Sequence, residues 1–345
     1  MKTKILKTAL LSMLIIGGSY AQDIHFSAMD YSPLTVNPGL AGADHNLQAT
    51  VNYRSQWGAV GVPYQTMAAG YDMRFGEHAR GKKGFLAAGL NFNNDVVGTN
   101  KMQATNIGLS LAYHLKLNNY NKIGLGLQGA FGQRSLSFID GKWGTQYNGI
   151  SYDSEIPSGE TFNNSSFSFF DVGAGFVYTY QPQQRSFNNN GTKLNIGVAA
   201  YHLNRPSVSF IKDGSDNLHI RTSAFIEAQI GISDKKMAIE PKAFLQFQGP
   251  SIETVIGTDY RFFLGNGQSY RGHYEGISLA LGLYVRNKDA LMSRVSLRMD
   301  GFDLGMVYDF TLFSALKRIS NAKGGAEVFL RYTLNKTIVQ SKSRM

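Results

Sequence analysis

Ile107-Gly108-Leu109-Ser110-Leu111-Ala112-Tyr113-His114-Leu115-Lys116-Leu117 decides the fold. The odd positions are all apolar or aromatic. The even positions are Gly108, Ser110, Ala112, His114 and Lys116, all small or polar. A helix turns about 100° per residue and would scatter such a series around its circumference. A strand sends alternate side chains to opposite faces. The stretch is therefore a strand with one lipophilic face and one small or polar face. Working outward, the pattern recurs. Ile123, Leu125, Leu127 and Phe131 alternate with Gly124, Gly126, Gln128 and Ala130. Phe170, Ala174, Phe176 and Tyr178 alternate with Asp171, Gly173 and Gly175. Ile277 to Val285 and Phe302 to Phe310 repeat it, with aromatic residues towards the ends of the apolar series.

A soluble sandwich also alternates, but three features favour a membrane. The segments reach about 10 residues or more, where soluble strands average about 5–6. The apolar face is strongly lipophilic, and charged residues make up 17% of the chain. The N-terminus also has the order of a secretory signal: Lys2, Lys4 and Lys7, then apolar Thr8 to Ile16, then Ser19 and Ala21 before a cut ahead of Gln22. No later segment offers about 20 consecutive apolar residues for a transmembrane helix. Backbone crossing lipid as strands must pair with itself all the way round, so the strands must close. The expected fold is all-β: a transmembrane antiparallel β-barrel of about 14 strands, in the bacterial outer membrane after export through the inner membrane.

The chain divides into a signal peptide (1–21), a non-alternating N-terminal plug or rim segment (22–45), the barrel (46–334) and a periplasmic tail (335–345). In the second part, Ser32-Pro33 and Asn37-Pro38-Gly39 force turns and bar a regular strand. Phe26, Asn37 and Pro38 are its candidate contact residues. Asn118-Asn119, Asp300-Gly301 and Gly324-Gly325 read as turns between strands. An even strand number puts both chain ends in the periplasm and the longest connection, 137–166, outside the cell. Glycines on the small face have two readings: room for a plug or partner segment in the lumen, or tolerance of bending. The inward series looks rich in glycine and alanine, with scattered Asp171, Asp303, Asp309, Glu327 and Arg331. That favours a filled lumen over an open one.

Chemical motifs are sparse. The chain has no cysteine, which removes disulfides, thiolate metal sites and a lipid-modified N-terminal cysteine. Gly124 to Gly129 matches a dinucleotide fingerprint by pattern, but alternation runs straight through it and leaves no helix N-terminus. Ser110 and His114 share a strand face about 13 Å apart, beyond hydrogen-bonding reach. The seven histidines form no metal-ligand spacing. No catalytic residues, metal or cofactor are expected, and the chain reads as a non-enzyme. The net charge of +10 is scattered, which suits anionic outer-membrane lipid and lipopolysaccharide and not nucleic acid. Tyr53, Arg54 and Trp57 suit either an interfacial girdle with a snorkelling arginine or a docking surface. In the long connection, Trp143, Tyr147, Tyr152 and Phe162 stand among glycine, serine and asparagine, a mixture that suits binding.

The sequence also resembles the PorP/SprF family of type IX secretion system outer-membrane proteins of Bacteroidetes. The resemblance lies in Gln22-Asp23-Ile24-His25-Phe26-Ser27, Ser32-Pro33-Leu34-Thr35-Val36-Asn37-Pro38-Gly39-Leu40-Ala41-Gly42 and Val51-Asn52-Tyr53-Arg54-Ser55-Gln56-Trp57. It continues in Asn93 to Gly98, His202-Leu203-Asn204-Arg205-Pro206, Tyr308-Asp309-Phe310 and Glu327 to Tyr332. Gly39, where alanine is expected, and a long insertion from Lys142 to Ser158 depart from the pattern. The resemblance implies an accessory barrel that binds a secreted protein, such as a gliding adhesin, through its C-terminal signal domain and anchors it at the cell surface. It also implies periplasmic and lipoprotein partners in the secretion and gliding machinery. The competing reading is a passive porin for a small or lipophilic solute.

Overall fold

The computed structural model describes residues 23–75, 83–137, 141–159, 165–182, 192–210, 216–232, 236–264, 276–314 and 317–334. Among them fourteen strands form one closed antiparallel barrel: β1 (Leu47–Gln56), β2 (Tyr64–Phe75), β3 (Gly84–Val97), β4 (Met102–Lys116), β5 (Asn121–Ser135), β6 (Ser166–Tyr180) and β7 (Lys193–Tyr201), then β8 (Arg221–Ile232), β9 (Met237–Gln248), β10 (Ser251–Phe263), β11 (Ser278–Arg286), β12 (Ala290–Met299), β13 (Phe302–Phe310) and β14 (Lys323–Leu334). Each strand pairs with its neighbours in sequence. β1 closes on β14 in unbroken register from Leu47↔Leu334 to Gln56↔Gly325.

Alternation sets the faces as expected. Ile107, Leu109, Leu111 and Tyr113 are exposed on the outside, while Gly108, Ser110, Ala112 and His114 are buried inside. The same phase holds round the barrel, and no Asp, Glu, Lys or Arg occupies an outward position of the fourteen strands. That is the surface a hydrocarbon band requires, because each charge facing lipid is costly. At the β12–β13 turn Asp300 and Gly301 both have positive φ, 48° and 86°, as a tight two-residue hairpin needs. Gly324-Gly325 does not form a turn. β14 starts at Lys323, and a register shift at Asp309/Phe310 absorbs the irregularity.

The core of the molecule lies in the lumen. Residues 23–46 run inside the barrel as short helical turns, at Met29–Tyr31, Pro33–Val36 and Pro38–Leu40. Pro33 and Pro38 sit at the starts of their turns, where the missing N–H costs nothing. Asp23 lies beside His202, Arg221 and Gln248, at the end where the long 136–165 connection emerges. Asp44 lies beside Lys193 and Asn195, at the end where β1 begins. The segment thus traverses the lumen lengthwise. This corrects the expectation that both chain ends lie on the periplasmic side: the described N-terminal end is at the loop mouth. The signal peptide (1–21) and the tail (335–345) fall outside the described residues.

Cysteines at Leu109 and Leu111, carrying spin labels, should be reached by lipid-phase quenchers, and labels at Ser110 and Ala112 should not. Leu109→Arg should lower stability, measured by urea unfolding in lipid vesicles, by about 2–4 kcal/mol if it lies near the midplane.

Candidate functional site

The luminal wall has two unlike sides, and the N-terminal segment contacts both. On β5, β6 and β7 it meets glycines. Gly126 pairs with Gly175 across β5–β6, and Gly197 is nearby on β7. A Cβ on Gly126 would collide with the backbone of Pro38 and Gly39; on Gly175 it would strike the Asn37 side chain. Here the glycines serve close approach. Asn37 is fully buried, and its amide donates to the carbonyls of Phe176 and Val198, both at 3.0 Å. Its carbonyl oxygen accepts from Gly39 N at 2.8 Å. Gly39 is itself tight: a Cβ would lie 3.0 Å from Asn37 Oδ1 and 3.2 Å from Val177 Cγ2, so alanine would need a small shift.

The other side, from β8 through β14 to β1, is charged. Arg54 is 3% exposed. It donates to the His25 carbonyl at 2.6 Å and pairs with Asp309 at 3.0 Å. Ser27 donates through its hydroxyl to Asp309 and through its backbone N–H to Glu327, at 2.8 and 2.7 Å. Arg286 donates to the Ser27 hydroxyl at 2.8 Å. Deeper in, Asp30 accepts from Lys242 at 2.6 Å and Arg294 at 2.7 Å. Asp259 holds the same two cations from the wall. Tyr31 stacks on Phe329 with ring centroids 3.7 Å apart.

Segment carbonyls are met by wall side chains in the same way: Leu34 by Tyr201 at 2.9 Å, Thr35 by Arg221 at 3.0 Å and Ala43 by Arg74 at 2.9 Å. His114 Nε2 lies 2.7 Å from the Ala41 carbonyl, and Ser110 bonds Gln128, so these two residues are structural. The segment therefore has side-chain hydrogen bonds where a strand would have a ladder.

At the loop mouth His202, with φ 58°, lies between Asp23 (2.5 Å) and Asp171 (3.0 Å), while Arg221 stands 3.2 Å from Asp23. Burial disfavours charge on His202, but the two carboxylates outweigh it and push its pKa up to about 9. Burial also opposes ionisation of Asp23, yet His202 and Arg221 hold its carboxyl well below the usual carboxylate range.

The structure separates the residues expected to act together at the rim. Arg54 neither snorkels nor docks. It faces the lumen because it occupies an inward position of β1. Tyr53 faces lipid at 37% exposure, and Trp57 is half-buried at the strand end, edge-on to Tyr64. Phe26, Asn37 and Pro38 are all buried inside the barrel. The inward face also carries far more charge than glycine and alanine suggested: Arg221, Glu240, Lys242, Asp259, Arg261, Arg286 and Arg294 join the expected set. Each stands at the inward phase of its strand, a signal the sequence contained.

The 136–165 connection holds a braced hairpin. Gln146 is buried; its side chain accepts from Trp143 N at 3.1 Å and donates to the Ile156 carbonyl at 3.0 Å. Tyr147 bridges Tyr152, Gly149 takes φ 97°, and Asn148 Oδ1 accepts from the N–H groups of Ile150 and Ser151. Lys142 lies over the Tyr152 ring at 5.0 Å. The tip, Ile150, is 91% exposed, with Tyr147 at 59% beside it. Trp143 is half-buried at the base, and Phe162 lies outside the described residues. Composition had pointed to the aromatics and passed over Gln146 and Ile150.

A closed barrel with a lipid-facing apolar band and a filled, ionic lumen is what a comparison with known proteins must match. The family model for type IX secretion system membrane protein PorP/SprF matches residues 18–332. The chain belongs to this family. As a PorP/SprF protein it is a type IX secretion system barrel of the outer membrane. The stretches that carry the resemblance, scattered from Asp23 to Tyr332, meet in the lumen as Ser27, Asn37, Arg54, Asp309 and Glu327. No curated protein matches the chain. Among solved structures, a Pseudomonas aeruginosa FadL homologue aligns at 10% identity, covering 86% of this chain and 92% of its own, with a TM-score of 0.47. Acinetobacter baumannii outer-membrane protein Omp33 aligns at 7% identity, covering 84% and 98%, with a TM-score of 0.40. BamA from Haemophilus ducreyi lacking POTRA domains 1–3 aligns at 10%, covering 84% and 70%, with a TM-score of 0.43.

The His202 imidazole, followed by NMR, should titrate near pH 9, and Asp23→Asn should lower that midpoint. Because the folded pKa is raised, the contribution of His202 to stability is complete below about pH 6.5 and is lost as pH rises through about 9. Asp23, whose pKa is depressed, contributes above the ordinary carboxylate range and loses that contribution on acidification. The mouth contact is therefore strongest at mildly acidic pH.

Proposed function

We propose that this PorP/SprF barrel is a non-enzymatic accessory of secretion that binds a secreted surface protein, through its C-terminal signal domain, and anchors it outside the cell. The observation that carries the reading is the occupied lumen. Residues 23–46 run its length, gripped by buried ion pairs on one side and by close glycine contacts on the other. A segment so held acts as a plug, leaving function to the surfaces at the two mouths. Outside, the Tyr147–Tyr152 hairpin offers an exposed aliphatic tip between aromatics on a braced frame. That preorganisation lowers the entropy lost on docking. Inside the cell envelope, the short turns face the periplasmic and lipoprotein components of the machinery.

Deleting residues 144–158 should leave the barrel assembled, judged by heat-dependent gel mobility, and release the surface partner into the medium. Ile150→Asp should weaken capture, measured with the isolated signal domain, by about tenfold or more if the tip is a hot spot. Full surface retention in cells lacking the whole barrel would overturn the anchoring role. The porin reading is tested in planar bilayers. The intact protein should show no large steady conductance, and Gly126→Leu, which drives a side chain into Pro38 and Gly39, should raise it.

A further inference from the structure

Near the loop mouth the register of β3, β4, β5 and β6 sets inward side chains in rows across the wall. The outermost row is Asp95, Ala104, Arg134 and Phe167. The next is Asn93, Asn106, Gly132 and Phe169. Between these rows and the N-terminal segment lies a cavity of about 90 Å³, bounded on the segment side by Ile24, Leu34 and Thr35. Asp95, Ala104 and Arg134 are partly exposed although they stand at inward positions, so the outer row meets the solvent of the mouth.

The polar groups of these two rows are left over by the fold. Asn93 is 6% exposed and pairs with Asn106 across the β3–β4 ladder. The Oδ1 of each is buried, and among the described residues neither amide makes a hydrogen bond. One row deeper the need is met, since Asn91 accepts from Gln128 at 3.0 Å. Arg134 makes no hydrogen bond or ion pair among the described residues, and Asp23 acts on it only at longer range. Asp95 accepts from Thr66 at 2.6 Å through one oxygen. It stands across Ala104 from Arg134, with about 10 Å between their backbones. The remaining charged groups on the cavity engage one another: His202 lies between Asp23 and Asp171, and Arg221 pairs with Asp23.

Charge and size narrow the partner. Three carboxylates, Asp23, Asp95 and Asp171, face three cations, Arg134, His202 and Arg221, so the cavity favours neither a bare anion nor a bare cation. Its unused groups ask for both signs at once. Arg134 offers donors to a carboxylate, while Asp95 and the two amide oxygens accept from an N–H group. A cavity of about 150 Å³ holds benzene, so by the same measure about 90 Å³ holds roughly four or five non-hydrogen atoms. We propose that this cavity binds a small zwitterionic α-amino acid, of the size of glycine or alanine. Its carboxylate lies on Arg134, and its ammonium lies between Asp95 and the Oδ1 atoms of Asn93 and Asn106. One carbon carrying both groups suits a gap flanked by opposite charges. The site stands apart from the anchoring role, since it is built on the wall and the segment.

Saturation-transfer NMR on the detergent-purified full-length barrel tests this with a panel of small ligands. Glycine and alanine should bind saturably. Acetate, which lacks the ammonium, and glycinamide, which lacks the carboxylate, should bind at least about tenfold more weakly, and phenylalanine should be excluded by size. Arg134→Gln and Asp95→Asn, shown to be folded by heat-dependent gel mobility, should each weaken glycine binding by about tenfold. Acetate or glycinamide binding as tightly as glycine would overturn the site, and so would unchanged binding in both variants. N-acetylglycine binding as tightly as glycine would overturn recognition of the ammonium and assign the cavity to peptide chain ends. No saturable binding of glycine or alanine to the intact barrel would leave the cavity to solvent and overturn the proposal, whatever the variants do.

Discussion

Backbone N–H and C=O groups removed from water must find partners, and this barrel depends on how that demand is met twice. In the wall it is met by strand pairing, closed without remainder where β1 joins β14. In the lumen it is met by side chains, because residues 23–45 join no strand ladder. Tyr201, Arg221, Arg74 and Arg54 donate to segment carbonyls, and Glu327 accepts from the N–H groups of Ser27 and Ala28. A buried polar network of this kind is worth keeping where every member is satisfied and damaging where one is removed. The segment therefore tolerates substitution poorly at Ser27, Asp30 and Asn37, although none of them lies in a strand.

The two sides of the lumen do different work. Charge pairs fix where the segment sits along the barrel, since Asp30 meets Lys242 and Arg294 at one height only. The glycines fix how near it comes to the wall. The buried pairs carry a large desolvation cost, so their contribution to net stability is small beside their contribution to position. Close contact at Gly126 and Gly175 adds dispersion without that cost.

The wall was legible in the sequence because a two-residue period with one lipophilic phase admits one answer. Strand bounds such as Tyr64–Phe75 follow from the residues where the alternation starts and stops. The lumen was less legible. Arg286 and Arg294 stand in the inward phase of β11 and β12, so their direction was available. Their partners were not, because Asp30 lies 264 residues from Arg294 and no local period connects them. Arg54 shows the same limit: its neighbours Tyr53 and Trp57 suggested a surface, and only the phase of β1 sends it inside. The outer hairpin was legible as aromatic composition but not as structure, since Gln146 braces it through contacts ten residues apart.

The segment touches both ends of the chain at once. Ser27 and Ala28 hold Asp309 and Glu327 across 282 to 300 residues, while Arg54 on the first strand holds the same Asp309. Bringing residues so distant together costs about 5 kcal/mol of loop-closure entropy, and this cost grows only with the logarithm of the separation. Closing β1 on β14 and docking the segment close the same loop, so the chain bears that cost once for both. Each event thereby raises the effective concentration for the other. Threading and closure become a single cooperative step of assembly, and an open sheet with a docked segment gains little over a fully unfolded one.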